Sequence, residues 1–403
     1  MNSPCDDGKK CAPADFRRAD PSGRLPRWTA LCLVLLAASP ALWSAGRTRH
    51  VFLLTTDGLR PEEVFTGADP ALLNREHGGF KDDRAVARAR ETYWRDTPEE
   101  RRAALMPFFW SVIARDGQVF GDAARGSTAR VSNGKNFSYP GYNEMLVGWP
   151  DPGIMSNAEV PNRNVTVLEW LHAKPAFRGR VSAYSAWSVM RGIVNAERAG
   201  FPVMAGWRPL PFPPRNPREE LLNALIADTT RAGHANEVWD SFVFHAAIEQ
   251  FHVQRPRVML GSFLETDYWG HQGRYDFLLD AARRFDDYVR RLWELVQSQP
   301  DYAGATTFVL TTDHGRGRAP VEWKAHGAAI SGSENIWCAV LGPDTPARGV
   351  RTNVAPVTQA QVAATIAALL GEDYAAEHPR AAPPLAEVLA APSASGPDAP
   401  PPR

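Results

Sequence analysis

The chain has 403 residues, 44% of them hydrophobic and 22% charged, which is enough apolar surface for a substantial core and excludes disorder as its default state. Its 45 basic and 45 acidic residues cancel, which removes the electrostatic basis for a nucleic-acid or anionic-membrane partner, so any attraction for anions must be local. Of the four cysteines, Cys5, Cys11 and Cys32 precede the globular part and Cys338 stands alone within it, so neither a disulfide framework nor a cysteine-rich zinc site is available.

In chain order, Arg17, Arg18, Arg24 and Arg27 lead into an apolar run from Trp28 to Leu42, followed by small residues, which is the order of an export signal. The run falls short of the ~20 residues a bilayer-spanning helix needs, and Pro40 interrupts it. Residues 1–47 are therefore expected to be a signal peptide, or an N-terminal anchor if left uncleaved, and the protein is expected to be exported.

Val51 to Thr56 is a continuous apolar and β-branched run ending in Asp57-Gly58, the pattern of a strand buried on both faces that delivers a carboxylate at its carboxyl end. Residues 60–103 are polar and charge-rich and read as an excursion from the sheet. Helices are predicted over 104–115, 165–173, 218–231, 237–253 and 358–370, and strands near 180–185 and 335–341. Residues 200–217 are dense in proline, tryptophan and glycine. With the region to 235 they read either as part of a cap or as an ordinary surface loop, in which Trp207 and Phe212 either stack on a substrate or pack inward.

Two later segments repeat the first strand's design: Val258 to Thr266 runs into Asp267, and Thr306 to Thr312 runs into Asp313. Between them, apolar residues from Phe277 to Val296 recur at the spacing of one helix face over Tyr275 to Gln297. The resulting fold class is α/β, a mostly parallel central sheet sandwiched between helices, with cap insertions and ligands outside the carboxyl ends of its strands. A catalytic domain is expected over 48–378, followed by a Pro/Ala-rich disordered tail over 379–403.

Such a sheet would gather Asp57, Asp267 and Asp313 on one edge, where three carboxylates repel one another unless a cation holds them. His271 follows Asp267 by four residues, His314 follows Asp313 directly, and His326 comes shortly after. Six oxygen and nitrogen donors of this kind are what two divalent metals require, and zinc suits the His/Asp mixture best. The segment from Ser138 to Gly148 supplies a candidate attacking group. At a helix start, Ser138 is either an N-cap or a nucleophile aided by the helix's favourable end for anions.

With these residues in hand, the sequence resembles the alkaline phosphatase superfamily, and most closely its type I phosphodiesterase and nucleotide pyrophosphatase branch, over roughly residues 50 to 342. The resemblance rests on Ser138-Tyr139-Pro140 through Leu146-Val147-Gly148, on Pro150-Asp151-Pro152-Gly153-Ile154 leading to Asn157, and on the ordered Asp and His motifs. It implies Asp267, His271 and His326 as ligands of one zinc, and Asp57, Asp313, His314 and Ser138 as ligands of the other. It further implies phosphate ester hydrolysis through a phosphoserine on Ser138, with Asn157 on a phosphoryl oxygen. Lys135 and Asn136 are further candidates for that contact. The family's usual Thr is Ser here, and the helix departs from the pattern at Gly141-Tyr142-Asn143-Glu144. Tyr142 stands where sulfatases of the superfamily carry Arg, which argues against a sulfatase. A mutase-type phosphotransferase and a noncatalytic metal-binding homologue are the alternative readings. The expected partner is a small-molecule phosphate ester.

Overall fold

The protein is described by a computed structural model over residues 46–231 and 235–389. Most of the expected export signal and residues 390–403 of the expected tail lie outside the described residues. Among the described residues, no helix is long and apolar enough to cross a membrane.

The strands, in chain order, are β1 (His50–Thr56), β2 (Gln118–Phe120), β3 (Ala129–Arg130), β4 (Val181–Ser185), β5 (Val203–Ala205), β6 (Val258–Phe263), β7 (Thr306–Thr311), β8 (Asn335–Ile336), β9 (Cys338–Leu341), β10 (Gly349–Val350) and β11 (Val357–Thr358). Eight of them form one sheet in the order β10-β2-β9-β7-β1-β6-β4-β5. The five from β7 to β5 are mutually parallel, and β9 runs antiparallel to both its neighbours. β1 is central and buried along its whole length, which is why its sequence is an unbroken apolar and threonine run rather than an alternating one. β3, β8 and β11 make a small second sheet.

The helix Tyr275–Gln297 forms over the predicted span. It buries Leu278, Ala282, Phe285, Val289, Leu292 and Val296 on one face, at spacings of three and four residues. The other predicted helices appear as Val167–Ala173, Pro217–Asp228, Asp240–Gln254 and Gln361–Leu369. Residues predicted as one helix over 104–115 instead divide. The helix Pro98–Leu105, with a capping box on Thr97, gives way to a π-turn over Phe109–Ile113. There the buried Asp286 carboxylate accepts the backbone N–H groups of Phe108 and Phe109 at 2.8 and 2.7 Å and so starts a new segment.

Three expectations need correction. The tail does not begin at 379: Leu385 and Val388 are buried, and Glu387 pairs with Arg351, so the chain stays packed to 389. The excursion at 200–217 contains β5, which pairs in parallel with β4 and closes one edge of the sheet, and Trp207 is buried against Phe242. Residues predicted as strand beyond Phe263 form the helix Glu265–His271.

The excursion at 60–103 is mostly helical and is pinned at its root. Arg60 forms a buried ion pair with Glu63 and donates to the Gly317 carbonyl at 3.3 Å. Tyr275 donates to Glu63 at 3.0 Å, and buried Trp323 donates to the His77 carbonyl at 3.1 Å. Because Gly317 and Trp323 lie in the loop between His314 and His326, this excursion supports one wall of the site.

Candidate active site

Asp57 follows β1, and its N–H continues the strand ladder by donating to the Phe263 carbonyl at 2.9 Å. The next residue must be glycine on two counts. Gly58 has φ +61°, and a Cβ there would stand 2.7 Å from Asp267 Oδ1. Asp313 lies just past β7, its carbonyl held by Gln359 Nε2 at 2.9 Å. Asp267 reaches the same edge from the first turn of the helix Glu265–His271 rather than from a strand end. Four residues later on that helix, His271 lies on the same face, with Nε2 3.3 Å from Asp267 Oδ2.

The three carboxylates therefore meet, as the sequence predicted. His314 stands among them, its Nε2 3.3 Å from Asp57 Oδ1, 3.6 Å from Asp313 Oδ2 and 3.9 Å from Asp267 Oδ1. Burial, reinforced by the neighbouring carboxylates, raises the Asp57 carboxyl well above its ordinary range, and burial likewise raises Asp313. Burial would lower His314, but the carboxylates around it prevail and hold it up to about 9. For Asp267, burial acts upward and is overcome by the Arg316 guanidinium and by His271 and His326, which hold the carboxyl well below the usual range. This is the electrostatic signature of a site built for positive charge.

The imidazole tautomers point the same way. His314 Nδ1 lies 2.8 Å from the Gly315 carbonyl and His326 Nδ1 lies 3.1 Å from the Asn136 carbonyl. A carbonyl only accepts, so each Nδ1 donates. Nδ1 is thus protonated in either state of each ring, and in the neutral state Nε2 can offer its lone pair to the site. Burial, with the His314 charge beside it, lowers His326 to about 2, so this ring is neutral. His271 Nε2 and His326 Nε2 are 2.9 Å apart, close to the roughly 3.3 Å between two nitrogens that share one tetrahedral zinc with bonds of about 2.0 Å.

Two groups of donors result: Asp267 with His271 and His326, and Asp57 with Asp267 and His314. Asp267 belongs to both. Buried Asp57 Oδ1 and Asp313 Oδ2 make no well-formed hydrogen bond and have only the longer approaches of His314 Nε2, an arrangement that a metal cation would complete. These donors could hold a metal ion; Asp313, expected beside Asp57 and His314, is not part of either group.

Ser138 is the first residue of the helix Ser138–Val147 and not its N-cap, a position taken by Phe137. Its Oγ lies 3.4 Å from His314 Nε2. The helix approaches so closely that a Cβ on Gly141 would stand 2.3 Å from the Asp313 carbonyl, so glycine is required there also. Asn157 reaches the same helix start, where its Oδ1 accepts the Tyr139 N–H at 2.9 Å and leaves the amide nitrogen as a donor. Lys135 is half-buried in the turn before Ser138, its N–H donating to Asn133 Oδ1 at 2.8 Å.

Sequence reasoning missed Arg316. Its buried guanidinium donates to the Asp267 carbonyl at 2.7 Å and to Oδ1 at 2.6 Å. The only signal was an arginine two residues after His314, which alone says nothing about burial.

The model of the family described as type I phosphodiesterase / nucleotide pyrophosphatase matches residues 82–332, more than half of the chain. That span holds Ser138, Asp267, His271, Asp313, His314 and His326, and leaves Asp57 outside. No curated protein sequence matches the chain significantly. Solved structures match at low identity. A candidate sulfatase from Bacteroides thetaiotaomicron is 13% identical with a TM-score of 0.53, covering 85% of this chain and 74% of that one. The phosphonate monoester hydrolase of Silicibacter pomeroyi is 10% identical with a TM-score of 0.51, covering 86% and 78%. A 2-O GAG sulfatase is 13% identical with a TM-score of 0.51, covering 87% and 76%. At such identities the likeness is one of fold, shared by a phosphonate monoester hydrolase and sulfatases. The family match shows that this chain belongs to the type I phosphodiesterase / nucleotide pyrophosphatase family.

Proposed function

We propose that the protein is an exported, two-zinc hydrolase of small-molecule phosphate esters that works through a phosphoserine on Ser138. The observation that carries this reading is the placement of the Ser138 hydroxyl 3.4 Å from His314 Nε2, at the start of a helix and beside the three carboxylates. Asp267, His271 and His326 would hold one ion, and Asp57, Asp313, His314 and Ser138 the other. When bound, the ions supply Lewis-acid stabilisation of the phosphoryl oxygens, of the ionised serine and of the departing ester oxygen.

The chain's own residues do the rest. Ser138 Oγ, its proton released to solvent, attacks phosphorus in line; the P–Oγ bond forms as the bond to the ester oxygen breaks, and the leaving oxygen takes a proton from water and departs as an alcohol. Asn157 and Lys135 are assigned to the phosphoryl oxygens, where an amide N–H and an ammonium offset developing charge. Water then displaces Oγ, releasing the phosphate product and restoring the hydroxyl. Two successive inversions give overall retention at phosphorus.

Ser138→Ala should lower hydrolysis of nitrophenyl phosphate mono- and diesters by at least about 10³-fold, while zinc content stays near that of the wild type. Wild-type rates in that variant would remove the nucleophile assignment. Comparing diester with monoester turnover on the zinc-loaded enzyme identifies the substrate class.

A further inference from the structure

The stretch Gly141-Tyr142-Asn143-Glu144, where this helix departs from the family pattern, is not used by the proposed reaction. Three of its residues have evident structural roles. Gly141 permits the approach to Asp313, the Tyr142 hydroxyl sits between Thr55 Oγ1 and Ser262 Oγ at 3.0 and 2.8 Å, and Asn143 Oδ1 accepts from Asn162 and Asn164. Glu144 is different, because its bonds lead back to the site.

The Glu144 carboxylate is fully buried and accepts four donors: the Ser132 N–H at 2.9 Å, Ser132 Oγ at 2.8 Å, and the Asn133 N–H and Nδ2, both at 2.9 Å. These two residues open a tight turn. Asn133 Oδ1 then accepts the N–H groups of Lys135 and Asn136 at 2.8 and 3.0 Å. Asn136 is held in the left-handed region at φ +56°, which asparagine tolerates better than other side-chain-bearing residues. In that conformation its carbonyl accepts His326 Nδ1 at 3.1 Å. An unbroken series of hydrogen bonds thus runs from the nucleophile's own helix to the ring of His326.

We propose that Glu144 is a positioning residue for His326: through the turn at 132–136 it fixes the carbonyl that orients the imidazole and dictates its tautomer, and so ties the Ser138 helix to the donor group of Asp267, His271 and His326. The inference rests on the two-metal reading above. Glutamate is required for a chemical reason. All four partners are donors, and a glutamine of the same shape would turn an amide NH₂ toward some of them.

The test is a zinc titration of the full chain against a chromophoric chelator, with circular dichroism to confirm the fold. Glu144→Gln should weaken one of two zinc sites by about 10–100-fold, as losing an outer partner of a ligating histidine does, and leave the other unchanged. Glu144→Asp, which keeps the charge, should recover part of the loss. Asn133→Ala breaks the series downstream of Glu144 and should weaken the same site, so it decides the matter if Glu144→Gln does not fold. Folded variants with wild-type affinity at both sites would overturn the inference. A wild-type chain that takes up no zinc would instead overturn the two-metal reading on which it rests.

Discussion

The two halves of the site are built by different means. Asp57, Asp313 and His314 sit just past the ends of two adjacent central strands, and each is almost wholly buried. Asp267, His271 and His326 come from a helix and a loop, with the His271 side chain 45% exposed and that of His326 10%. The strand-borne half is rigid because the register of β1 against β6 and β7 fixes its backbone. The other half depends on partners outside the strands: the Arg316 guanidinium for Asp267, and the Asn136 backbone carbonyl for His326. One half is therefore specified by the fold and the other by a second layer of polar contacts.

Substitutions should expose this difference. His314→Ala removes the cationic partner of three buried carboxylates. It should cost more than about 100-fold in zinc affinity and, in the metal-free protein, about 3–5 kcal/mol of stability. His271→Ala removes a direct donor but leaves a half-exposed gap that water can fill, so its loss of affinity should be smaller than that of His314→Ala, with little change in melting temperature. Chelator competition and thermal melts on both variants would check this, and equal effects would contradict the proposed division.

A smaller effect is expected at Asp151, which organises the loop leading to Asn157 by accepting from Arg163, Asn164 and the Gly153 N–H. The hydrogen bond from Arg163, with the others assisting, lowers this carboxyl to about 2. A depressed folded-state value means that the stabilisation is present above the ordinary value near 3.8 and lost as pH falls through about 2. Asp151→Asn should cost roughly 1–2 kcal/mol at neutral pH. The gap to wild type in acid unfolding should close between about pH 4 and 2. A gap that persisted at pH 2 would show that the carboxylate charge is not the cause.

The same division explains what the sequence revealed. Asp57 and Asp313 were legible because a strand buried on both faces has a distinctive composition and must end somewhere, and an acidic residue at that end is visible. Asp267 was placed at the correct edge for a partly wrong reason, since the apolar run past Phe263 turns into a helix that composition alone does not separate from strand. Arg316 and the Asn136 carbonyl were illegible because their roles are long-range contacts without local periodicity. The tail past 379 misled for a related reason. Leu385 and Val388 are isolated apolar residues among prolines and alanines, and only the surface that receives them makes them core.

A pair of cations held about Ser138 is the central feature of the proposed site. Anomalous diffraction from crystals of the zinc-loaded protein, recorded on both sides of the zinc absorption edge, tests this most directly. Two peaks are predicted, one within bonding distance of Asp267, His271 and His326, the other of Asp57, Asp313, His314 and Ser138. Ions bound elsewhere, or a fully loaded protein with density at neither place, would contradict it.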